Sequence, residues 1–244
     1  MKPAEMRILG LKVNKVTMEE TLAFIDEALR KDGLTQVITL NAEIAYGAYG
    51  DEELTALINN ADLVTADGSG ILWAAPQYGE IIGERVCGID LLTELLQKYN
   101  DGSYGFYFLG AKPEVASLAA AKIRQTYPHL QFCGYHHGYF GKENSEDMAA
   151  IIAKSGADIL IVAMGAPFQD LWIATYGEDC NVKVGIGVGG SLDILAGVAK
   201  RAPNFFQEFH LEWLYRLLKQ PSRFRRTMAL PKFMRLVKKD RNRE

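Results

Sequence analysis

Short apolar runs alternate with stretches of helical spacing through most of this chain. The runs at residues 7–16 (a hairpin around Gly10), 36–40, 63–66, 105–109, 131–135, 159–164 and 183–188 read as strands. Between them, residues 17–31, 42–59, 69–78, 89–99, 113–127, 145–155, 168–176 and 191–199 repeat their apolar positions at the period of a helix packed on one side. Thr17 and Glu20 have the spacing of a capping box, and Pro113 suits a first helical turn. Strands that alternate with helices of this length are joined by crossovers, so they run parallel with helices on both faces. The predicted class is therefore α/β, a Rossmann-like parallel sheet. Ligands in such sheets bind beyond the carboxyl ends of the strands, which singles out the loops at 39–43, 67–70, 110–112, 136–140, 165–170 and 189–193.

After about Ala199 the helical pattern continues with no further strand. Phe209, Trp213, Leu214, Leu217 and Leu218 mark one helix, Pro221 breaks it, and Leu230, Phe233, Met234 and Val237 mark another. On the opposite face of that last helix fall Lys232, Arg235, Lys238 and Lys239, which makes it basic and amphipathic. Charge changes at the same place. Residues 195–244 hold 13 Lys/Arg against 4 Asp/Glu, a net of +9, whereas the first 194 hold 14 against 26, within an overall charge of -3. An acidic body with a basic end points to an anionic partner met by one end only, a membrane surface or nucleic acid. The plainer reading is a C-terminal helix docked on the body with a solvated basic face; the aromatic and Met content, with few acidic partners, favours an interfacial role.

The remaining composition narrows the class. With 244 residues, 48% hydrophobic and 23% charged, the chain has the make-up of an ordinary globular protein: one large domain, or a domain with an appendage. Cys87, Cys133 and Cys180 lie far apart, which suggests neither a disulfide framework nor a zinc knuckle. The opening residues lack the apolar run of a signal peptide, and no stretch approaches the length of a membrane span. A cytoplasmic protein with at most peripheral membrane contact is expected.

Asp67 follows an apolar run and should emerge at the carboxyl edge of its strand. There it can act as a general base toward a hydroxyl, or cap the helix that starts near Ser69, with Gly68 supplying the turn. The run from Gly185 to Gly190 formally matches the dinucleotide fingerprint. Its first two glycines fall inside the strand, and no later strand completes the unit that the fingerprint requires. A Gly-rich turn feeding the next helix can still hold a phosphate on its N–H groups, as can Gly165-Ala166-Pro167; two such loops on neighbouring strands favour a nucleotide diphosphate. Asp193 either accepts hydrogen bonds from a base or ribose or stabilises the first turn of its helix. His136 and His137 are adjacent and make a poor metal pair, and the chain contains no Asp-x-Asp to hold a divalent ion on a diphosphate. The expectation is an enzyme with no metal and no cofactor. Stabilisation of a leaving group then falls to helix N-termini and to arginines such as Arg85, which is equally readable as a surface partner of Glu84.

Together these segments resemble the WecG/TagA/CpsF glycosyltransferases. The blocks that carry the resemblance are Thr39-Leu40-Asn41-Ala42-Glu43, Ala66-Asp67-Gly68-Ser69-Gly70, Glu84-Arg85-Val86-Cys87-Gly88-Ile89-Asp90 and His137-Gly138-Tyr139-Phe140. They continue through Met164-Gly165-Ala166-Pro167-Phe168-Gln169, Gly187-Val188-Gly189-Gly190-Ser191-Leu192-Asp193, Lys200-Arg201-Ala202-Pro203, Leu211-Glu212-Trp213-Leu214-Tyr215-Arg216-Leu217 and Pro221-Ser222-Arg223-Phe224. The resemblance runs over nearly the whole chain and is strongest to the teichoic-acid branch. It implies transfer of N-acetylmannosamine from UDP to the 4-hydroxyl of N-acetylglucosamine on undecaprenyl diphosphate, with inversion to a β linkage, at the inner face of the cell membrane. It also implies that Asp67 is the base, that Thr39, Asn41, Arg85 and Gln169 line the active site, and that Tyr139 and Asp193 hold the uridine. A catalytic domain over 1–199 would carry a helical membrane-associating appendage over 200–244, which packs over the site and contributes arginines, here Arg216, Arg223 and Arg226. Oligomers that dissociate to let the appendage fold are suggested for the family as well.

Two positions depart from the family pattern. Phe168 stands where Lys is usual, which shifts diphosphate binding toward backbone N–H groups and Arg85, and Ala66 stands where Pro is common. Other readings are the same chemistry with UDP-glucose or a UDP-N-acetylmannosaminuronate donor, a nicotinamide-dependent oxidoreductase using the glycine run, and a non-catalytic adaptor for membrane or nucleic acid. No residue chooses an acetamido group over a hydroxyl by its physics.

Overall fold

A computed structural model describes residues 3–203, 205–206, 212–219 and 228–242. The chain opens with an antiparallel hairpin, β1 (Glu5–Ile8) and β2 (Leu11–Asn14), turned through Leu9 and Gly10, both at positive φ. Helix α1 (Met18–Leu29) starts at the expected capping box: Thr17 N–H donates to Glu20 at 2.9 Å, and Glu20 N–H donates to Thr17 Oγ1 at 3.1 Å.

The remaining strands, β3 (Thr35–Leu40), β4 (Leu63–Ala66), β5 (Gly105–Gly110), β6 (Gln131–His136), β7 (Ile159–Ala163) and β8 (Val184–Gly187), form one parallel sheet in the order β4-β3-β8-β7-β5-β6. Between them run α2 (Ala42–Ala48), α3 (Glu52–Asn60), α4 (Ser69–Ala74), α5 (Gly88–Lys98), α6 (Pro113–Thr126), α7 (Ser145–Ser155) and α8 (Phe168–Tyr176), with α9 (Ser191–Leu195) after β8. Val37, Phe106, Ile161 and Ile186 pack toward α1, α5, α6 and α9 on one face, and Ile38, Leu160 and Val162 pack on the other. The α/β class with helices on both faces is as expected.

Three predicted helices are shorter or broken; the one expected at 69–78 is α-helical only to Ala74 and tightens into a 3-10 turn over Ala75–Tyr78. The stretch at 42–59 keeps its apolar period but is divided by Gly50 at φ 82, after which the Asp51 side chain caps α3 by accepting from Leu54 N–H at 2.9 Å. The helix expected at 191–199 ends at Leu195, where Val198 and Ala199 N–H groups turn back onto the Asp193 carbonyl.

Past the sheet lie α10 (Glu212–Lys219) and α11 (Ala229–Arg241). The apolar stripe of α11 is not on the surface. Phe233 and Val237 are fully buried in the cluster formed by the hairpin, α2, α3 and α4, and Tyr78 donates to Asp240 at 2.8 Å. The interfacial reading of this stripe is therefore corrected: its partner is the body. Lys232, Arg235, Lys238 and Lys239 remain exposed on the outer face. Among the described residues no helix is long and apolar enough to cross a membrane.

Candidate active site

The carboxyl ends of β4, β3, β8 and β7 stand side by side, and they gather most of the predicted residues. Asp67 leaves β4 half-buried, its N–H donating to Leu40 O at 2.8 Å. The N-cap position of α4 is taken by Gly68 at φ 83, a conformation that suits glycine, rather than by Asp67. Asn41 caps α2, its Oδ1 accepting from Glu43 and Ile44 N–H at 2.9 and 3.1 Å. A side chain at Gly68 would lie 3.9 Å from Asn41 Cβ, so these two turns are in contact. Residues 85–87 run alongside the end of β4, with Val86 N–H donating to Ala66 O at 3.0 Å and Thr65 Oγ1 donating to Val86 O at 2.9 Å.

That arrangement brings Arg85 within electrostatic reach of Asp67. Burial works against the Arg85 charge, but Cys87, Glu212 and Asp67 more than offset it and raise its pKa. The partner of Arg85 is Glu212 of α10, at 3.1 and 3.4 Å, and not Glu84, which instead accepts from Met18 N–H at 3.0 Å. Cys87 is inert: burial first, then the charges of Asp67 and Asp90, push its thiol far up.

Thr39 lies beneath this group, buried, its hydroxyl donating to Gly187 O at 3.1 Å and so tying β3 to β8. On the β8 side, Gln169 is buried and accepts from Gly189 N–H at 2.9 Å, which fixes the turn at Gly189 (φ 55). The glycine run has a packing cause. A side chain at Gly185 would meet Ile173 at 2.6 Å, and one at Gly187 would collide with Asp170 and Gln169, so both glycines let α8 lie against the sheet. Gly165 (φ 82) forms the turn before α8. Gly190 is exposed at the start of α9, with Asp193 in its first turn. Tyr139 is 67% exposed in the loop after β6, and its neighbour Gly138 packs against Met164, at the end of β7. Lys142 holds its ammonium 5.5 Å from the Phe168 ring, so a cation stands beside the first residue of α8 even though that residue is aromatic. Arg216 belongs to α10; its side chain, like all of Arg223 and Arg226, lies outside the described residues.

Composition gave no sign of Asp170. Its carboxyl is buried under Gly187 with no hydrogen-bond partner for either oxygen among the described residues, and burial pushes its pKa up to about 7. The Gln169 amide is close enough to lower that value in part but lies outside hydrogen-bonding geometry. The sequence signal was the strand glycine at 187, whose missing side chain makes the room.

A parallel sheet whose carboxyl edge presents a carboxylate within electrostatic reach of an arginine, next to two glycine turns at helix starts, defines an α/β enzyme of the group-transfer kind. The chain belongs to the glycosyl transferase WecG/TagA/CpsF family, which it matches over residues 6–244. It is 35% identical over 203 residues, 83% of this chain and 78% of the relative, to an N-acetylglucosaminyldiphosphoundecaprenol N-acetyl-beta-D-mannosaminyltransferase of Bacillus spizizenii. A Staphylococcus aureus protein of the same name is 33% identical over 238 residues, 97% of this chain and 93% of that one.

Proposed function

We propose that this chain transfers N-acetylmannosamine from UDP-N-acetylmannosamine to the 4-hydroxyl of undecaprenyl-diphosphate-linked N-acetylglucosamine, with inversion and without a metal ion. The product is the linkage unit of a wall teichoic acid, made at the inner face of the cell membrane. The observation that carries this reading is that Asp67 leaves the carboxyl end of β4 within electrostatic reach of Arg85, in a chain whose relatives bear that enzyme name. Asp67 takes the proton of the acceptor hydroxyl as it attacks the anomeric carbon from the face opposite UDP. Charge growing on the departing diphosphate is met by Arg85 and by N–H groups at the starts of α8 and α9. The absence of an Asp-x-Asp pair supports metal independence. Asn41 and Gln169 hold the two turns that frame the donor, Tyr139 and Asp193 hold the uridine, and residues 200–244 form the appendage that faces the bilayer.

The test is turnover of UDP-N-acetylmannosamine with a short-chain lipid-diphosphate-N-acetylglucosamine acceptor, without added metal, for the wild type and Asp67→Asn. Turnover by the wild type and a loss of about a hundredfold or more in the variant are expected. Turnover untouched by the substitution would remove Asp67 from the role of base. Product from a different UDP-sugar only would overturn the donor assignment.

A further inference from the structure

His136 ends β6, and the imidazole of His137 turns back beside it. The two ring centroids are 4.2 Å apart, and Phe140 backs the His136 ring edge-on at 5.9 Å. Each ring has a defined tautomer. His136 Nδ1 lies 2.8 Å from His137 O. A carbonyl only accepts, so His136 carries its proton on Nδ1 and presents Nε2 as an acceptor. His137 Nδ1 accepts from Tyr139 N–H at 3.2 Å, which leaves its proton on Nε2 as a donor. Neither Nε2 has a hydrogen-bond partner among the described residues, and both side chains are half-buried. This tilted pair of rings therefore offers one unused acceptor and one unused donor.

We propose that His136 and His137 read the base of the donor nucleotide and select uracil over cytosine. The inference rests on the proposed UDP-sugar donor. Uracil carries a donor, N3–H, beside an acceptor, O4. That edge is complementary to the His136 Nε2 acceptor and the His137 Nε2–H donor. Cytosine carries the reverse, an N3 acceptor beside an amino donor, so it would set donor against donor and acceptor against acceptor. The position suits a base. β6 lies two strands from β7, about 10 Å, and the Gly165 turn that follows β7 leads into the proposed diphosphate site. A nucleotide with its phosphates at the start of α8 spans such a distance to its base. The reading loop is also fixed: Gly138 N–H donates to Ala111 O at 3.0 Å, and a side chain at 138 would meet Met164 at 3.0 Å and Gly110 at 3.3 Å. Tyr139 offers an exposed ring on which a base can stack, and its N–H sets the tautomer of His137. Stacking on Tyr139 accepts any base, whereas the two imidazoles distinguish one from another.

The experiment measures the affinities of UDP, CDP and 3-methyl-UDP, which lacks the N3–H, by calorimetry. The proteins are the wild type, His136→Ala, His137→Ala and the double variant. The wild type should bind UDP about ten- to a hundredfold more tightly than CDP, the effect of leaving polar groups opposed instead of paired. It should bind 3-methyl-UDP about tenfold less tightly than UDP, a comparison that needs no substitution. Each single variant should lose about three- to tenfold of the preference for UDP over CDP, and the double variant should bind the two nearly alike. A purely structural role would weaken UDP and CDP together and leave their ratio unchanged. A wild type that binds UDP and CDP equally, or a preference that survives in the double variant, would overturn the base-reading role while leaving the donor reading intact. Failure of every protein to bind UDP would overturn both.

Discussion

Leu230 fills the space that a side chain at position 70 would need. A methyl group on Gly70 would stand 2.9 Å from Leu230 Cδ1 and 2.7 Å from Ala42 Cβ, so the loop bearing Asp67 is pressed between α2 and the last helix. Gly70→Ala should destabilise the protein by about 1–3 kcal/mol, because overpacking outweighs the small helical gain of alanine. Leu230→Ala in that background should recover part of the loss, as read by denaturant unfolding.

The two faces of α11 should separate in experiment. Phe233 is fully buried, so Phe233→Ala should cost about 3–5 kcal/mol in urea unfolding. Replacing the exposed Lys232, Arg235, Lys238 and Lys239 with Gln should leave stability nearly unchanged. It should weaken binding to anionic vesicles by about 1 kcal/mol for each charge that meets the surface.

Asp170 should make stability fall as pH rises. Its carboxyl ionises at about 7 in the fold, and at about 3.9 in the unfolded chain. Between those values the unfolded chain releases a proton that the fold retains, so stability declines across that window and levels off above it, at a cost that approaches about 4 kcal/mol. Asp170→Asn removes the titration. Its melting temperature relative to the wild type should be several degrees higher near pH 8, and the difference should shrink steadily toward pH 4.

Gln169 should matter to the donor more than to the fold. Gln169→Ala leaves Gly189 N–H without its acceptor and loosens the turn before α9. UDP affinity should drop by about tenfold, in line with about 1–3 kcal/mol for an unpaired buried polar group. Calorimetry checks the affinity, and circular dichroism checks that the sheet persists.

The strands were legible because a sheet covered on both faces writes itself as continuous apolar runs, as in Ile159–Ala163. Asp67 and Asn41 were legible because strand ends feed loops at a known edge. The break at Gly50 was missed because apolar spacing on both sides of it continues one helical phase. The stripe through Phe233 was misread for a deeper reason. An amphipathic pattern states that something apolar covers the helix, and it cannot distinguish lipid from a wall built by Ala42–Ala75. The pairing of Arg85 with Glu212, like the burial of Asp170, joins residues far apart in the chain and leaves no local trace.

The burial of Phe233 and Val237 among residues of the hairpin, α2 and α4 also bears on the order of synthesis. On the ribosome the first third of the chain emerges early, yet one of its apolar walls waits uncovered until residue 237 has left the exit tunnel. Until then the nascent protein carries an exposed apolar face, and a transcript cut short before the codon for residue 229 would yield a chain with the Asp67 loop present and its packing partner missing.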